Sequence, residues 1–589
     1  MSAVVSTTIG GTTEVVQMAF TNSQGQVVTS SYTTVLHGTP TSTTEWTIVP
    51  TPTHADSAGS PPNNSSTNGD SRTMVYGLNN EEYMLGTFLP TILTVLVAYP
   101  VKLISINARL MQPFHTLATT DKAHGATPES SIFQRFDTWL GALSLPRAIK
   151  RRQPVIAISD LLVLGAALLT PLAAETVGVH VTDGCQSHCL GNLGVSIAVG
   201  RILEALMATM TALLIALVVL LSVFRWRTGV SQNPWSIAGM ASLCLDPETR
   251  DILRSIPTGL NGSVEDSAIV KVLGKNRYAL GDFWVAPNPD VSKSRGYGVI
   301  VAGRDNIVRQ LLGREDTGGE EAKATKAGYK RTQPFKLLTW WGRCLLIFVF
   351  TCILIILTYY ESTTSDTRFE RFMDSQGFGV NFFFTALGVV VGACMEMVFR
   401  SVAIISPYLQ LSNHNLQAER SILLSPPTNA FYGIYSAVCQ RQLFLGILSF
   451  TTILGELVLP VTLSHVPFSL IETYKTQLVC TWLSIAILGL MILVLAASFL
   501  TTWPHMPVDP RTVAGAMFYV CDSWMLETLQ GMSTMSKKDR DLDVRHLRLR
   551  YGYGHLSGAV SGKERVGVDV CDDRGEAAVI TRSEKLRYG

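Results

Sequence analysis

Charge is scarce in this chain. Asp, Glu, Lys and Arg make up 16% of its 589 residues, against about 25% in soluble domains. The two signs nearly cancel, to a formal net charge of +2, so the polyelectrolyte footprint of a nucleic-acid binder is missing and no nucleic-acid partner is expected. The ten cysteines form no CxxC pair, which argues against a zinc module or a disulfide-dense fold. No phosphate-binding loop, HExxH, GxSxG or kinase signature is present, so neither a cofactor nor an enzymatic reaction is expected. The opening residues, MSAVVSTTIGGTTEVV, lack the basic start and apolar run of a secretory signal. Neither Lys nor Arg occurs before Arg72.

Apolar residues are what the chain has in abundance, at 47%, with a mean hydropathy of +0.26. Seven apolar runs are long enough to cross about 30 Å of hydrocarbon. They lie near residues 83–106, 154–174, 202–224, 337–360, 380–405, 443–463 and 478–500. Trp340, Trp341, Tyr359 and Tyr360 sit where interfacial aromatics belong. The loop 107–153 holds Arg109, Lys122, Arg135, Arg147, Lys150, Arg151 and Arg152. The loops of opposite sidedness hold only Arg201, then Arg368 and Arg371, then Lys475. This bias predicts an external N-terminus and a cytoplasmic C-terminus.

The first run recurs. Phe88, Thr91, Leu93, Val95, Val97, Pro113 and Leu117 coincide with Phe382, Thr385, Leu387, Val389, Val391, Pro407 and Leu411 when 88–118 is laid on 382–412 without a gap. The pattern F-x-x-T-x-L-x-V-x-V, followed by an exit reading P-[FY]-x-x-L, resembles a family of filamentous-fungal membrane proteins defined by a domain of unknown function in two copies per chain. The resemblance runs from about Tyr83 to the C-terminus. It implies the architecture and supplies no reaction, ligand or catalytic residue.

Spans one to three match spans five to seven. An unmatched fourth span would let both copies point the same way. The expected fold is therefore an all-α integral membrane protein of seven transmembrane helices, arranged 3+1+3 with a parallel internal repeat. Residues 81–224 form the first membrane repeat and 380–500 the second. Residues 225–313 and 501–589 form cytoplasmic modules, each a short helix plus a β-hairpin. Asn233-Pro234 with Gly239, and Asp509-Pro510 with Gly515, are predicted to open those helices, with Asn or Asp as N-cap and Pro at the first helical position. Residues 314–336 read as a charged linker.

Residues 1–80 read as a disordered external tail, since 27 of the first 71 residues are Ser or Thr and little apolar surface is available to offset chain entropy. Ser/Thr with Pro also reads as an O-glycosylated stalk, and Asn63 and Asn64 each begin an N-x-S sequon. Cys185 and Cys189, in the loop after the second span, are a candidate disulfide; a metal site with His180 and His188, or free thiols, are the alternatives.

Four ionisable residues fall inside spans: Lys102, Asp160, Glu396 and Glu456. Lys102 and Glu396 occupy equivalent positions. Three readings stay open for them: snorkelling or a local pair with Arg400, an ion pair joining the halves, or a transport role. Asp160 reads as close to the cytoplasmic end, and Glu456 as close to the external end beside Pro460. Partners expected are the lipid bilayer and proteins met by the cytoplasmic modules; the ligand is unknown. The leading reading is a non-enzymatic scaffold or surface sensor in a fungal plasma or secretory-pathway membrane. The alternative is a transporter or channel with a cavity between the repeats. With the tail outside, glycosidase treatment should shift the mobility of the expressed chain, Asn63→Gln with Asn64→Gln should remove that shift, and a C-terminal tag should resist external protease. An exposed tag would overturn the orientation.

Overall fold

The computed structural model describes residues 88–135, 141–181, 191–195, 197–223, 226–230, 233–257, 264, 266–284, 295–302, 335–362, 373, 379–467 and 474–571, with four strand segments between residues 6 and 48. Those strands, β1 (Ser6–Gly10), β2 (Thr13–Thr21), β3 (Val27–Val35) and β4 (Thr44–Ile48), pair in chain order as an antiparallel meander. These segments fall within the stretch expected as a disordered tail; their Val and Thr are β-branched and suit a pleated backbone. Residues 49–87, with Asn63 and Asn64, and residues 182–190, with Cys185 and Cys189, lie outside the described residues.

Among the described residues seven helices are long and apolar enough to cross a membrane: α1 (Leu89–Thr119), α2 (Pro154–Ala174), α3 (Ile197–Ser222), α4 (Trp340–Ser362), α5 (Val380–Asn413), α6 (Leu443–Leu463) and α7 (Tyr474–Ala497). The helix α1 packs on α2, α2 on α3 and on α5, α5 on α6, α6 on α7, and α7 on α4. Arg343 of α4 donates to the Ser498 carbonyl at 2.8 Å and stacks 4.1 Å from the Phe499 ring, which ties α4 to the end of α7. The third helices of the two halves differ: 11% of the most apolar window of α3 is buried, against 44% in α7. Among the described residues α4 packs on α7.

The exit motif P-[FY]-x-x-L lies within helix in both halves. Helices α1 and α5 run straight through Pro113 and Pro407 for 31 and 34 residues, about 46 and 51 Å. A proline inside a helix removes one N–H and crowds the carbonyl four residues back, here Arg109 and Ala403. Burial outweighs that loss, because Phe114, Leu117, Tyr408 and Leu411 are all buried beyond the prolines. Phe114 meets Trp235 edge-on at 5.9 Å, and Trp235 Nε1 donates to the Leu110 carbonyl at 2.9 Å. In the second half Tyr408 contacts Tyr519 and Tyr553, each at 5.4 Å. The motif is an anchor for the modules.

Several features recur between the halves. A short helix, Gly141–Lys150 or Ala430–Gln440, precedes α2 or α6. Each is followed by an arginine in the left-handed region, Arg152 at φ 53° and Arg441 at φ 55°, then by Gln153 or Gln442. The modules correspond as well. Helix Ile237–Leu243 pairs with Val513–Phe518, and hairpin Tyr278–Trp284/Arg295–Val301 with Arg550–Ser557/Glu564–Cys571. Ala126 bridges Tyr278 as Leu416 pairs with Tyr551.

The module helices start later than expected. Asn233 and Asp509 are not N-caps; each accepts from the backbone N–H two residues on, in an Asx turn. The caps are Ser236 and Thr512, whose hydroxyls accept from Gly239 N and Gly515 N at 3.0 Å each. Pro234 and Pro510 therefore lie in the turn, and both glycines lie in the first helical turn. Each helix then crosses over. Ala238 N donates to the Ile422 carbonyl of the other half at 2.9 Å, and Ala514 N to the Ile132 carbonyl at 3.0 Å.

The hairpins place Gly281 opposite Gly298, and Gly554 opposite Gly567. A Cβ on Gly567 would lie 2.7 Å from the Tyr519 carbonyl oxygen, whereas one on Gly554 would meet nothing within 4 Å. Gly567→Ala should lower unfolding stability by about 1–3 kcal/mol through overpacking, with Gly554→Ala close to the parent protein, as read by thermal melting of both.

Candidate functional site

Lys102 sits thirteen residues into α1, about 20 Å along it, in a helix otherwise apolar around it. An ammonium in such surroundings needs counter-charge. It finds two. Lys102 Nζ donates to Glu456 Oε1 of α6 at 3.2 Å and lies 3.8 Å from Glu396 Oε2 of α5. Arg400, one turn on from Glu396, pairs with it. Two cations and two carboxylates thus close a formally neutral group that joins the first half to the second.

Glu456 reaches this group through a local distortion. Residues Leu454–Val458 form a single π-helical turn with Glu456 at its centre. Pro460 explains it: the ring crowds the carbonyl four residues back, that of Glu456, and the widened turn relieves the clash. The bulge needs room, which α5 supplies with glycines four residues apart. A Cβ on Gly392 would lie 2.5 Å from the Gly455 carbonyl oxygen, and one on Gly388 would lie 2.8 Å from Pro460 Cα. Small residues at this spacing let helix backbones close.

A cleft beside the cluster is lined by Val95, Tyr99 and Lys102 of α1, Ala166 and Thr170 of α2, Val389 of α5, and Glu456 and Pro460 of α6. About 30 Å³ of it is open to water, room for roughly two or three molecules on the usual scale of about 10–15 Å³ each. The buried Tyr99 hydroxyl has no hydrogen-bond partner among the described residues.

A second buried group lies within the first half. Asp160 of α2 accepts from Arg109 of α1 and from Ser144 of the preceding short helix. The Asp160 side chain is fully buried. The corresponding second-half residues are Ala403, Gly433 and Ser449. At the opposite ends of the helices, Glu175 accepts from Gly379 N at 3.0 Å and from Phe382 N at 2.8 Å, filling orphan donors at the start of α5. Phe88, at the start of α1, stacks on His465 after α6 at 4.3 Å. Each contact joins the start of one half's first helix to the end of the other half's second.

Two stretches match one family model. Residues 84–178 and 378–468 match the family described as protein of unknown function, DUF3433. The same domain therefore occurs twice. The matches take in α1 with α2 and α5 with α6, and α3, α4 and α7 fall outside them. Lys102, Glu396, Arg400 and Glu456 all lie within matched residues. No curated protein and no solved structure matches the chain.

The structure brings Lys102, Glu396 and Glu456 together and leaves Asp160 apart. Glu456, expected as a lone carboxylate, is paired with Lys102. Asp160 is paired with Arg109, which had been counted among the loop cations. The spacing of Lys102 and Arg109, seven residues and one helix face, carried that signal. The Gly388-x-x-x-Gly392 spacing likewise marked the face that receives α6. Among the described residues no group of three His, Cys, Asp or Glu is placed to hold a metal ion.

Removing one partner of a buried ion pair is costly. Lys102→Met should lower stability by roughly 3–5 kcal/mol, and adding Glu456→Gln should recover part of the loss. Thermal melting of the purified single and double variants checks this; additive losses would show that the two residues are uncoupled.

Proposed function

We propose that this chain is an integral membrane protein built as two parallel three-helix units, α1–α3 and α5–α7, about a pseudo-twofold axis along the bilayer normal, with α4 as the link. Its N-terminus lies outside and its C-terminus in the cytoplasm. Its role is that of a non-enzymatic scaffold or surface organiser, which offers paired cytoplasmic modules to protein partners. A fungal source is what the sequence resemblance implies, and an external Ser/Thr-rich tail fits a plasma or secretory-pathway membrane.

The reciprocal bonds from Ala238 N to Ile422 and from Ala514 N to Ile132 carry this reading. In each, the module helix that follows one unit docks on the loop of the other unit, as a twofold relation requires. The contacts of Glu175 with Phe382 and of Phe88 with His465 repeat the exchange at the far end of the bundle. Halves clasped at both ends are suited to holding a fixed platform. They are poorly suited to rocking past one another, which alternating access demands.

A transporter is the second reading, favoured by the cleft that reaches Glu456 and Lys102 beside a π-helical turn. Distance measurements between spin labels at Ile197 and Val479, exposed residues near the starts of α3 and α7, separate the two. The scaffold predicts one narrow distribution, unchanged between acid and neutral buffer and broadened by Ala238→Pro with Ala514→Pro. Two populations exchanging with pH would favour the transporter.

A further inference from the structure

We propose that the closed end of the first helical hairpin, formed by Gly141–Lys150 and α2, binds the headgroups of anionic phospholipids. The helix Gly141–Lys150 folds back along α2, since Ser144 reaches Asp160 across the hairpin. The turn between them is fixed. Arg152 takes the left-handed conformation at φ 53°, and Gln153 exchanges paired amide hydrogen bonds with Gln134 at 3.1 and 3.2 Å. This turn carries Arg147, Lys150, Arg151 and Arg152, all exposed. Arg147, Lys150 and Arg151 are spaced three and four apart and so share one side. Among the described residues none of the four has a carboxylate partner.

An exposed cation cluster takes an anion, and position selects which. The cluster sits where α2, a membrane-length helix, begins, which is the level of lipid phosphates if α2 spans as proposed above. Ile149, 62% exposed, stands among the cations, so the tip presents charge and apolar surface together. That combination suits an interface of headgroup and acyl chain, where each cation adds about 1 kcal/mol of attraction to an anionic leaflet. The second hairpin provides an internal contrast. Its turn has the same left-handed arginine, Arg441 at φ 55°, but glutamine on either side. Its short helix instead exposes Tyr435 and Val438, at 64% and 73%. The two hairpins share a backbone and differ in what they offer the lipid.

The test uses the purified full chain in a neutral detergent, titrated with phosphatidylserine or phosphatidylcholine in mixed micelles, with retained lipid counted by native mass spectrometry. Phosphatidylserine should be retained in preference. Arg147→Gln, Lys150→Gln and Arg151→Gln together should weaken it about 100-fold, from about fivefold per charge, while Arg147→Lys with Arg151→Lys should keep it. Arg441→Gln in the second hairpin should change it less than twofold. If the triple variant does not fold, Arg151→Gln alone should weaken retention about fivefold. Equal retention of both lipids, or an unaltered triple variant, would overturn the proposal. So would full competition by inorganic phosphate, by glycerophosphoserine or by an acidic peptide, since each would make the tip a site for free anions or for a protein partner.

Discussion

A lysine midway along an apolar helix must be neutralised, and Lys102 draws its counter-charges from the other half of the chain. That requirement organises the centre of the bundle. Glu396 comes directly from α5. Glu456 comes from α6 only because Pro460 forces a π-helical turn, and that turn fits only because Gly388 and Gly392 let its backbone close on α5. A buried ion pair contributes little net stability over an apolar contact of the same shape, but a broken one is severely unfavourable. The cluster therefore acts chiefly on specificity, selecting which surfaces meet.

The ends of the bundle are held differently. There backbone amides do much of the linking, two of them donating to the Glu175 carboxylate, and the Arg135–Asp509 and Arg254–Asp522 ion pairs join the halves at the modules. Ala238 and Ala514 each use a first-turn N–H that has no partner within its own helix, so an orphan donor becomes the bond that crosses the halves. The extensions of α1 and α5 beyond Pro113 and Pro407 give the modules a rigid base, since Phe114 and Tyr408 project from regular helix rather than from loop.

Much of this was legible in the sequence, for reasons that differ by element. The seven helices follow from uninterrupted apolar runs, and α2 was readable to the residue because Pro154 marks its first turn. The start of α1 was not, because Phe88 offers no side-chain cap to mark the boundary within the apolar run. Its far end was hidden because proline propensity points to termination while the burial of Phe114 and Leu117 overrides it. The equivalence of Lys102 and Glu396 was visible by alignment. The approach of Glu456 was not, since it depends on a bulge that shifts one helix against another. Ser236 and Thr512 were readable as caps, but the Asx-Pro pairs three residues earlier competed for the same role.

The cluster's charges are not themselves duplicated. Aligned positions hold Lys102 against Glu396, Ile106 against Arg400, and Ala167 against Glu456. Two first halves would set lysine against lysine with no acid between them. Two second halves would crowd four carboxylates around two arginines. Only unlike halves mate, so what began as a repeat has become an obligate heterodimer carried on one polypeptide. The same lock would accept the complementary half of a neighbouring molecule, which leaves the connection through α4 to decide whether each chain closes on itself or trades halves with the next.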